Sequence, residues 1–286
     1  MKKLTIGIPT YDDYDGLYFT INSLRLYHPI TRTEEVEIII LDNNPDGPYG
    51  KLNKSLENFG SNIRYIPYTA KRSTTIKWNI VDYAEGEYVL ILDCHIMLAL
   101  GAIDALLEYY KLNPDTLNLI QGPLLYDDMI TISTSFKEGW SSQMYGTWNR
   151  DKEYDLGEPF EILFSGMGLF SYRKDSFPKL NQDFRGFGCE EWYVHEKFRQ
   201  NGGKVICIPA LKWIHRFGRI KVPYNLTIED KIWNYYIGWI ELYKDENHPM
   251  VKSIETHFAE INFTKSKIEK IKKEAIQYHK NKKTIL

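Results

Sequence analysis

A chain of 286 residues, 43% apolar and 26% charged, can bury a full core, which excludes a disordered or fibrous protein and fits one large domain with or without an appendage. A net charge of -2 excludes a global attraction to nucleic acid or acidic membrane, so any such partner must be met by a local patch. Cys94, Cys189 and Cys207 are too few and too widely spaced for a disulfide scaffold. With no apolar run of about 18 residues and no signal-peptide pattern, they point to a cytoplasmic location.

The first hundred residues alternate in period. Residues 4–8, 36–41, 63–66 and 88–92 are short, β-branched runs that predict strands, while 16–27 and 73–84 carry helical spacing, the latter opening on Ser73, a good N-cap. Such alternation predicts βαβ units and a parallel sheet, in which ligands bind beyond the carboxyl ends of the strands. Those ends read Pro9-Thr10-Tyr11-Asp12-Asp13, Asp42-Asn43-Asn44 and Asp93-Cys94-His95. Converging polar ends suit a nucleotide-like ligand, and neither a Gly-x-Gly-x-x-Gly nor a Walker lysine loop is present. Taken alone, Asp42-Asn43-Asn44 reads equally well as a turn.

Residues 126–160 lose any period and mix Trp140, Tyr145 and Trp148 with Ser, Gly and Asp. Two readings stand. The segment is a binding loop in which Trp140 stacks on an acceptor, or a small sheet whose aromatics are core. Order returns over 161–220, and from about Pro223 the pattern is helical, with an apolar stripe of Ile232, Trp233, Tyr236, Ile237, Trp239 and Ile240. The last 22 residues hold eight lysines, read as a solvated helix face or a weak tether to membrane or nucleic acid.

Within the strand-end set, Asp93 and His95 lie two positions apart, which places both side chains on one side of the chain, where they can chelate one cation; Cys94 then faces the packing. A carboxylate and an imidazole suit Mn²⁺ or Mg²⁺ shared with phosphate oxygens. Gly166 and Gly168 permit close backbone approach or a tight turn. Glu190 and Glu191 precede a helix-like run at 192–200, where they can divide acid–base work or simply cap the helix. Of the remaining histidines, His195 falls inside that helix with no matching partner.

Ile6-Gly7-Ile8-Pro9-Thr10-Tyr11 and Glu37-Ile38-Ile39-Ile40-Leu41-Asp42 resemble the opening blocks of family 2 glycosyltransferases, and Asp93-Cys94-His95 resembles the Asp-x-His of the polypeptide N-acetylgalactosaminyltransferases of family 27. Ser165-Gly166-Met167-Gly168-Leu169-Phe170 is similar to the Gly-Gly-Leu-Phe segment of that family. Gly186-Phe187-Gly188-Cys189-Glu190-Glu191-Trp192, followed by Gly202, Gly203 and His215, is similar to its Trp-Gly-Gly-Glu-Asn segment and distal ligand histidine.

The resemblance covers residues 4–217 and implies an α/β, GT-A (Rossmann-like) fold: a mostly parallel sheet flanked by helices, with a helical C-terminal extension. It implies a glycosyltransferase domain over 1–220, with a nucleotide-binding half to about 98 and an acceptor half over 99–220, followed by the extension over 221–286. The implied reaction moves a sugar from a nucleoside diphosphate sugar, UDP most simply, to a hydroxyl of a glycan, protein or DNA. Asp93, His95 and His215 would hold Mn²⁺ or Mg²⁺. Thr10, Tyr11 and Asp42 would hold the nucleoside, Asn79 would stand where family 2 has an Arg-Asn pair, and Gly166 and Gly168 would meet the sugar. Family 27 has Asn where Glu191 stands here. A carboxylate there resembles the Glu-Asp motif of inverting enzymes, which favours inversion with Glu191 as base and Glu190 on the sugar. Transfer to modified DNA bases, and sugar-nucleotide binding without turnover, are the alternatives.

Overall fold

The computed structural model describes residues 2–218 and 226–285. Its first half alternates as the sequence predicts: β1 (Leu4–Thr10), α1 (Tyr14–Tyr27), β2 (Val36–Asp42), α2 (Gly50–Ser55), β3 (Ile63–Pro67), β4 (Tyr88–Leu92), β5 (Ile96–Leu98) and α3 (Ala102–Leu112). Asp13 starts α1 by accepting the Gly16 amide, the usual service of an N-cap carboxylate. The stretch predicted as a helix over 73–84 is instead 3₁₀ from Thr74 to Asp82. Three successive β-branched residues, Thr74, Thr75 and Ile76, are poor helix formers, and the Ser73 hydroxyl is committed to the Gly186 carbonyl.

The middle of the chain supplies β6 (Leu119–Gln121), β7 (Leu124–Leu125), β8 (Ile132–Ser133), β9 (Ser135–Ser141), β10 (Met144–Asn149), β11 (Phe160–Glu161) and β12 (Leu169–Arg173). After these come α4 (Glu190–Gln200), β13 (Val205–Cys207), β14 (Trp213–His215), α5 (Ile228–Tyr243), α6 (Pro249–Glu260) and α7 (Lys265–Ile285). The main sheet runs β11-β13-β6-β12-β4-β1-β2-β3, with β4, β1, β2 and β3 mutually parallel and β12 antiparallel to β4. Because β2 and β4 lie on opposite sides of β1, the connections diverge there and open a crevice at the carboxyl ends of β1 and β4.

Ile6, Ile8, Ile38, Ile40, Leu90 and Leu92 are fully buried on one face of this sheet, each contributing about 1.5–3 kcal/mol of transfer free energy. A second core under the other face joins Ile91 and Phe170 to Tyr193 of α4 and to the stripe on α5. The helix predicted from Pro223 begins outside the described residues; α5 is described from Ile228, capped by the Thr227 hydroxyl. The Lys-rich segment forms α7, which buries Ile268, Ile271 and Ala275. Among its lysines, Lys267, Lys272 and Lys282 pair with Glu229, Glu255 and Asp183.

The aperiodic segment is a hairpin. Strands β9 and β10 pair antiparallel with a register shift between Tyr145 and Thr147; Tyr145 packs into the core, and Trp148, three positions on and so on the opposite face, stands on a cavity wall.

Candidate active site

The interruption in the run from Tyr88 to Leu98 is where the chain changes sheets. It leaves β4 at Asp93, turns through Cys94 and His95, and enters a second sheet as β5. Strand β14 pairs antiparallel with β5, placing His215 opposite Ile96 and so beside His95, although the two histidines lie 120 positions apart. Gly168 closes the corner: its carbonyl accepts the Asp93 amide at 2.8 Å, and a Cβ on it would sit 3.0 Å from Trp213.

His95 Nε2 and His215 Nε2 face each other at 3.1 Å, and His215 Nε2 stands 3.7 Å from Asp93 Oδ2. The Asp13 carboxylate lies 3.0 Å from His95 Nδ1, which assigns the proton to Nδ1 and turns the Nε2 lone pair towards the other two donors. Arg216, the residue after His215, holds the other oxygen of Asp13 at 2.7 Å. Lys77 donates to Asp93 Oδ1 at 2.8 Å and to the Met167 carbonyl at 2.9 Å, leaving Asp93 Oδ2 to the imidazoles.

Burial works against the charge on Asp93, but Lys77, His215 and His95 outweigh it and hold the carboxyl far below its usual range. The same holds for Asp13, where burial is overcome by His95, the Gly16 amide and Arg216. All three ligand atoms of Asp93, His95 and His215 lie within 4.8 Å of one another, a donor set that fits Mn²⁺ or Mg²⁺ with oxygen ligands completing the shell. Asp13, Cys94 and His95 form a second cluster. There the His95 nitrogen and both Asp13 oxygens are already taken up by hydrogen bonds.

Two cavities meet at this corner, and Thr74, Lys77 and Asp93 line both. The smaller, about 100 Å³, is walled by Thr10, Tyr11, Asn43, Ser73 and Cys94. Its Thr10 hydroxyl is buried with no hydrogen-bond partner among the described residues. The larger, about 700 Å³, is walled by Trp148, Gly166, Phe187, Trp213, Glu190 and Glu191 among others.

Glu190 and Glu191 form the first turn of α4, behind Cys189 in the left-handed region at φ 72°. Thr74 donates its hydroxyl and Gly188 its amide to Glu190. Burial, then the charge of Glu190, pushes Glu191 up to about 8. Burial raises Glu190 as well, opposed first by Thr74. Two buried like charges on adjacent residues cannot both ionise cheaply. The donors on Glu190 favour its anion, so of the two Glu191 is the one that keeps a proton near neutral pH.

A model of glycosyl transferase family 2 matches residues 5–180. The chain belongs to that family. Among solved structures, the complex of GalNAc-T7 with UDP, GalNAc and Mn²⁺ is similar at a TM-score of 0.68 and 14% identity, covering 96% of this chain and 54% of that one. TarS residues 1–349 from S. aureus are similar at a TM-score of 0.54 and 13% identity, covering 97% of this chain and 71% of that one. At such identities the likeness is one of fold, and it is the GT-A fold. The chain spans about half the length of the GalNAc-T7 chain it matches. No match emerges among curated proteins by sequence.

In this family 2 member the sequence named several residues that the structure brings together: Asp93, His95 and His215 at the corner, Thr10 and Tyr11 on the small cavity, and Gly166, Gly168, Glu190 and Glu191 on the large one. Others lie elsewhere. Asp42 is fully buried, its oxygens held by the Asn44 amide, Asn53 and Tyr65, and Asn43 lines the cavity in its place. Asn79 faces Gln182 at 3.5 Å, outside both cavities; two positions earlier in the same 3₁₀ segment, Lys77 reaches the corner.

Trp140 stacks on His257 at 4.5 Å, touches Trp239 and Phe258, and donates to Ser253, so it belongs to the joint with α5 and α6 and the core reading of the aromatics holds for it. Trp148 is the hairpin tryptophan at the cavity. Cys94 does not turn into packing alone, because its thiol lies 3.4 Å from His95 Nδ1. His195, which the sequence matched to no other site residue, is bonded on both ring nitrogens. Asp13 and Lys77 were also missed. Asp13 was legible as one of the polar residues after β1, whereas Lys77 gave no signal inside an apparent helix.

Proposed function

We propose that this chain transfers a sugar from a nucleoside diphosphate sugar, UDP most simply, to an acceptor hydroxyl, with Asp93, His95 and His215 holding a divalent cation, Mn²⁺ or Mg²⁺. The observation that carries this reading is the meeting of those three donors at the junction of a narrow and a wide cavity. When bound, the cation neutralises the charge that develops on the departing diphosphate.

The protein's own groups supply the rest. Asp13 fixes the His95 tautomer, and Lys77 holds Asp93 in its charged form with one oxygen turned to the imidazoles. Thr10, Tyr11 and Asn43 wall the narrow cavity that receives the nucleoside. On the wide side, Glu190 is anchored by Thr74 and accepts from a sugar hydroxyl. Glu191 takes the acceptor proton once it has lost its own, which suits inversion. Among the described residues that line the wide cavity, the charges of Asp93 and Glu190 face one lysine that is already paired, which favours a neutral hydroxylated acceptor over a polyanion and weighs against DNA. The division into a transferase domain over 1–220 and an extension over 221–286 belongs to the same proposal.

The test is a thermal-shift and calorimetric panel of UDP-, GDP- and dTDP-sugars with and without Mn²⁺, followed by metal-dependent hydrolysis of the best donor. Cation-dependent UDP-sugar binding lost in Asp93→Ala supports the reading. Binding that ignores both the cation and this substitution ends it.

A further inference from the structure

His195 is fully buried in α4 and lines neither cavity, so it does not reach substrate. Its ring nevertheless joins three segments of chain. Nδ1 meets the Glu191 carbonyl one turn earlier in the helix, a contact in which the imidazole must donate. Nε2 is then left as an acceptor, and it receives the Ser165 amide at 3.2 Å and the Gln121 side-chain amide at 3.2 Å. Burial drives the ring pKa down to about 3, so the neutral tautomer persists across any working pH.

The two ends of this contact matter because of what they carry. The Glu191 end is the start of α4 and bears the carboxylate pair. The Ser165 end opens the turn from Gly166 to Gly168. That turn walls the wide cavity, offers the Met167 carbonyl to Lys77 and accepts the Asp93 amide through Gly168. The ring therefore spans the gap between the carboxylates and the wall that faces them. Replacing it with a group lacking an acceptor would leave the Ser165 amide buried and unpaired and the Gln121 amide with only the Met167 sulfur at 3.8 Å, a strain that the turn can relieve by moving.

We infer that His195 is a positioning residue, which sets the Ser165–Gly168 turn at its working distance from Glu190 and Glu191 through the acceptor atom Nε2. This rests on the transferase reading above for its effect on turnover, but not for its effect on the turn. Full-length wild type, His195→Leu and His195→Gln are compared in Mn²⁺-dependent UDP-sugar hydrolysis and in hydrogen–deuterium exchange of the peptide spanning 163–170. Gln returns an acceptor oxygen near the Nε2 position, whereas Leu does not.

The expected result is faster exchange in that peptide and a kcat lowered at least about tenfold in the Leu variant, with the donor KM held within about twofold. The Gln variant recovers most of both. Unchanged exchange and kcat in a folded Leu variant, or a Gln variant as impaired as the Leu variant, overturns the inference. Should the Leu protein be insoluble, the Gln variant decides: turnover within about threefold of wild type supports the assignment, and a loss of about tenfold or more overturns it. Wild type that hydrolyses no donor counts against the transferase reading, while the exchange comparison still judges His195.

Discussion

The cation corner and the carboxylate pair occupy neighbouring walls of one crevice, and they are built on opposite electrostatic plans. At the corner, every buried acid faces cationic or donor groups: Asp93 has Lys77 and the imidazoles, and Asp13 has His95 and Arg216. Both carboxyls are driven down, and the corner stands ready for a charged guest. At the start of α4, two acids are buried side by side, and both are driven up. Burial alone would raise all four; what differs is the sign of the neighbour. On the proposed function, one wall would hold a metal-bound diphosphate and the other a proton until it is wanted.

Four experiments break or sharpen that contrast. The largest effect is expected from Glu191→Gln, which removes the proton-accepting group and should lower transfer about 10²- to 10⁴-fold while cation affinity stays at the wild-type value. A parallel fall in Mn²⁺ binding would merge the two walls into one. Next comes Asp93→Asn, which keeps the shape but removes the charge at the corner. Turnover should fall about 10²- to 10³-fold, now with weakened cation binding by calorimetry.

Asp13→Asn tests the outer layer of the corner. Loss of the carboxylate that fixes the His95 tautomer should weaken Mn²⁺ about 10- to 100-fold, and an unchanged affinity would show that His95 needs no such partner. The smallest effect concerns stability. Glu191 has a folded-state pKa of about 8, above its ordinary value, so it stabilises the fold below that ordinary value and loses the contribution as pH rises through about 8. Wild-type Tm should therefore drop from about pH 5 to about pH 8 and level off above it, and Glu191→Gln should drop less over that range. Activity should run the other way, rising between about pH 7 and 9 as Glu191 becomes a competent base.

The two walls also differed in how far the sequence disclosed them. Asp93 and His95 follow a strand run, where parallel-sheet geometry gives residues a reason to be polar, and a resemblance marked His215 as their partner. The glutamates were visible as paired acids opening a helix. Lys77 was hidden because its segment carries a helical period but folds as 3₁₀, which aims a different residue at the site than the expected Asn79. Trp140 and Trp148 could not be told apart without the pairing register: Trp140 lies opposite Tyr145, three positions from Trp148, so alternation sets the two rings on opposite faces, and a slip by one residue would exchange them. Asp42 misled for a local reason: a carboxylate at a strand end can serve ligands or its own turn, and here Asn53 and Tyr65 claim it.

The lysine-rich helix α7 has a consequence for anyone shortening the gene. Beyond Ile268, Ile271 and Ala275, which share a core with Trp233 and Tyr236, it reaches through Tyr278 and Lys282 to Asp183, in the loop leading to Glu190. A protein ending near residue 264 would bare an apolar strip along α5 and α6, and its first symptom should be self-association on a sizing column at neutral pH, ahead of any change in chemistry.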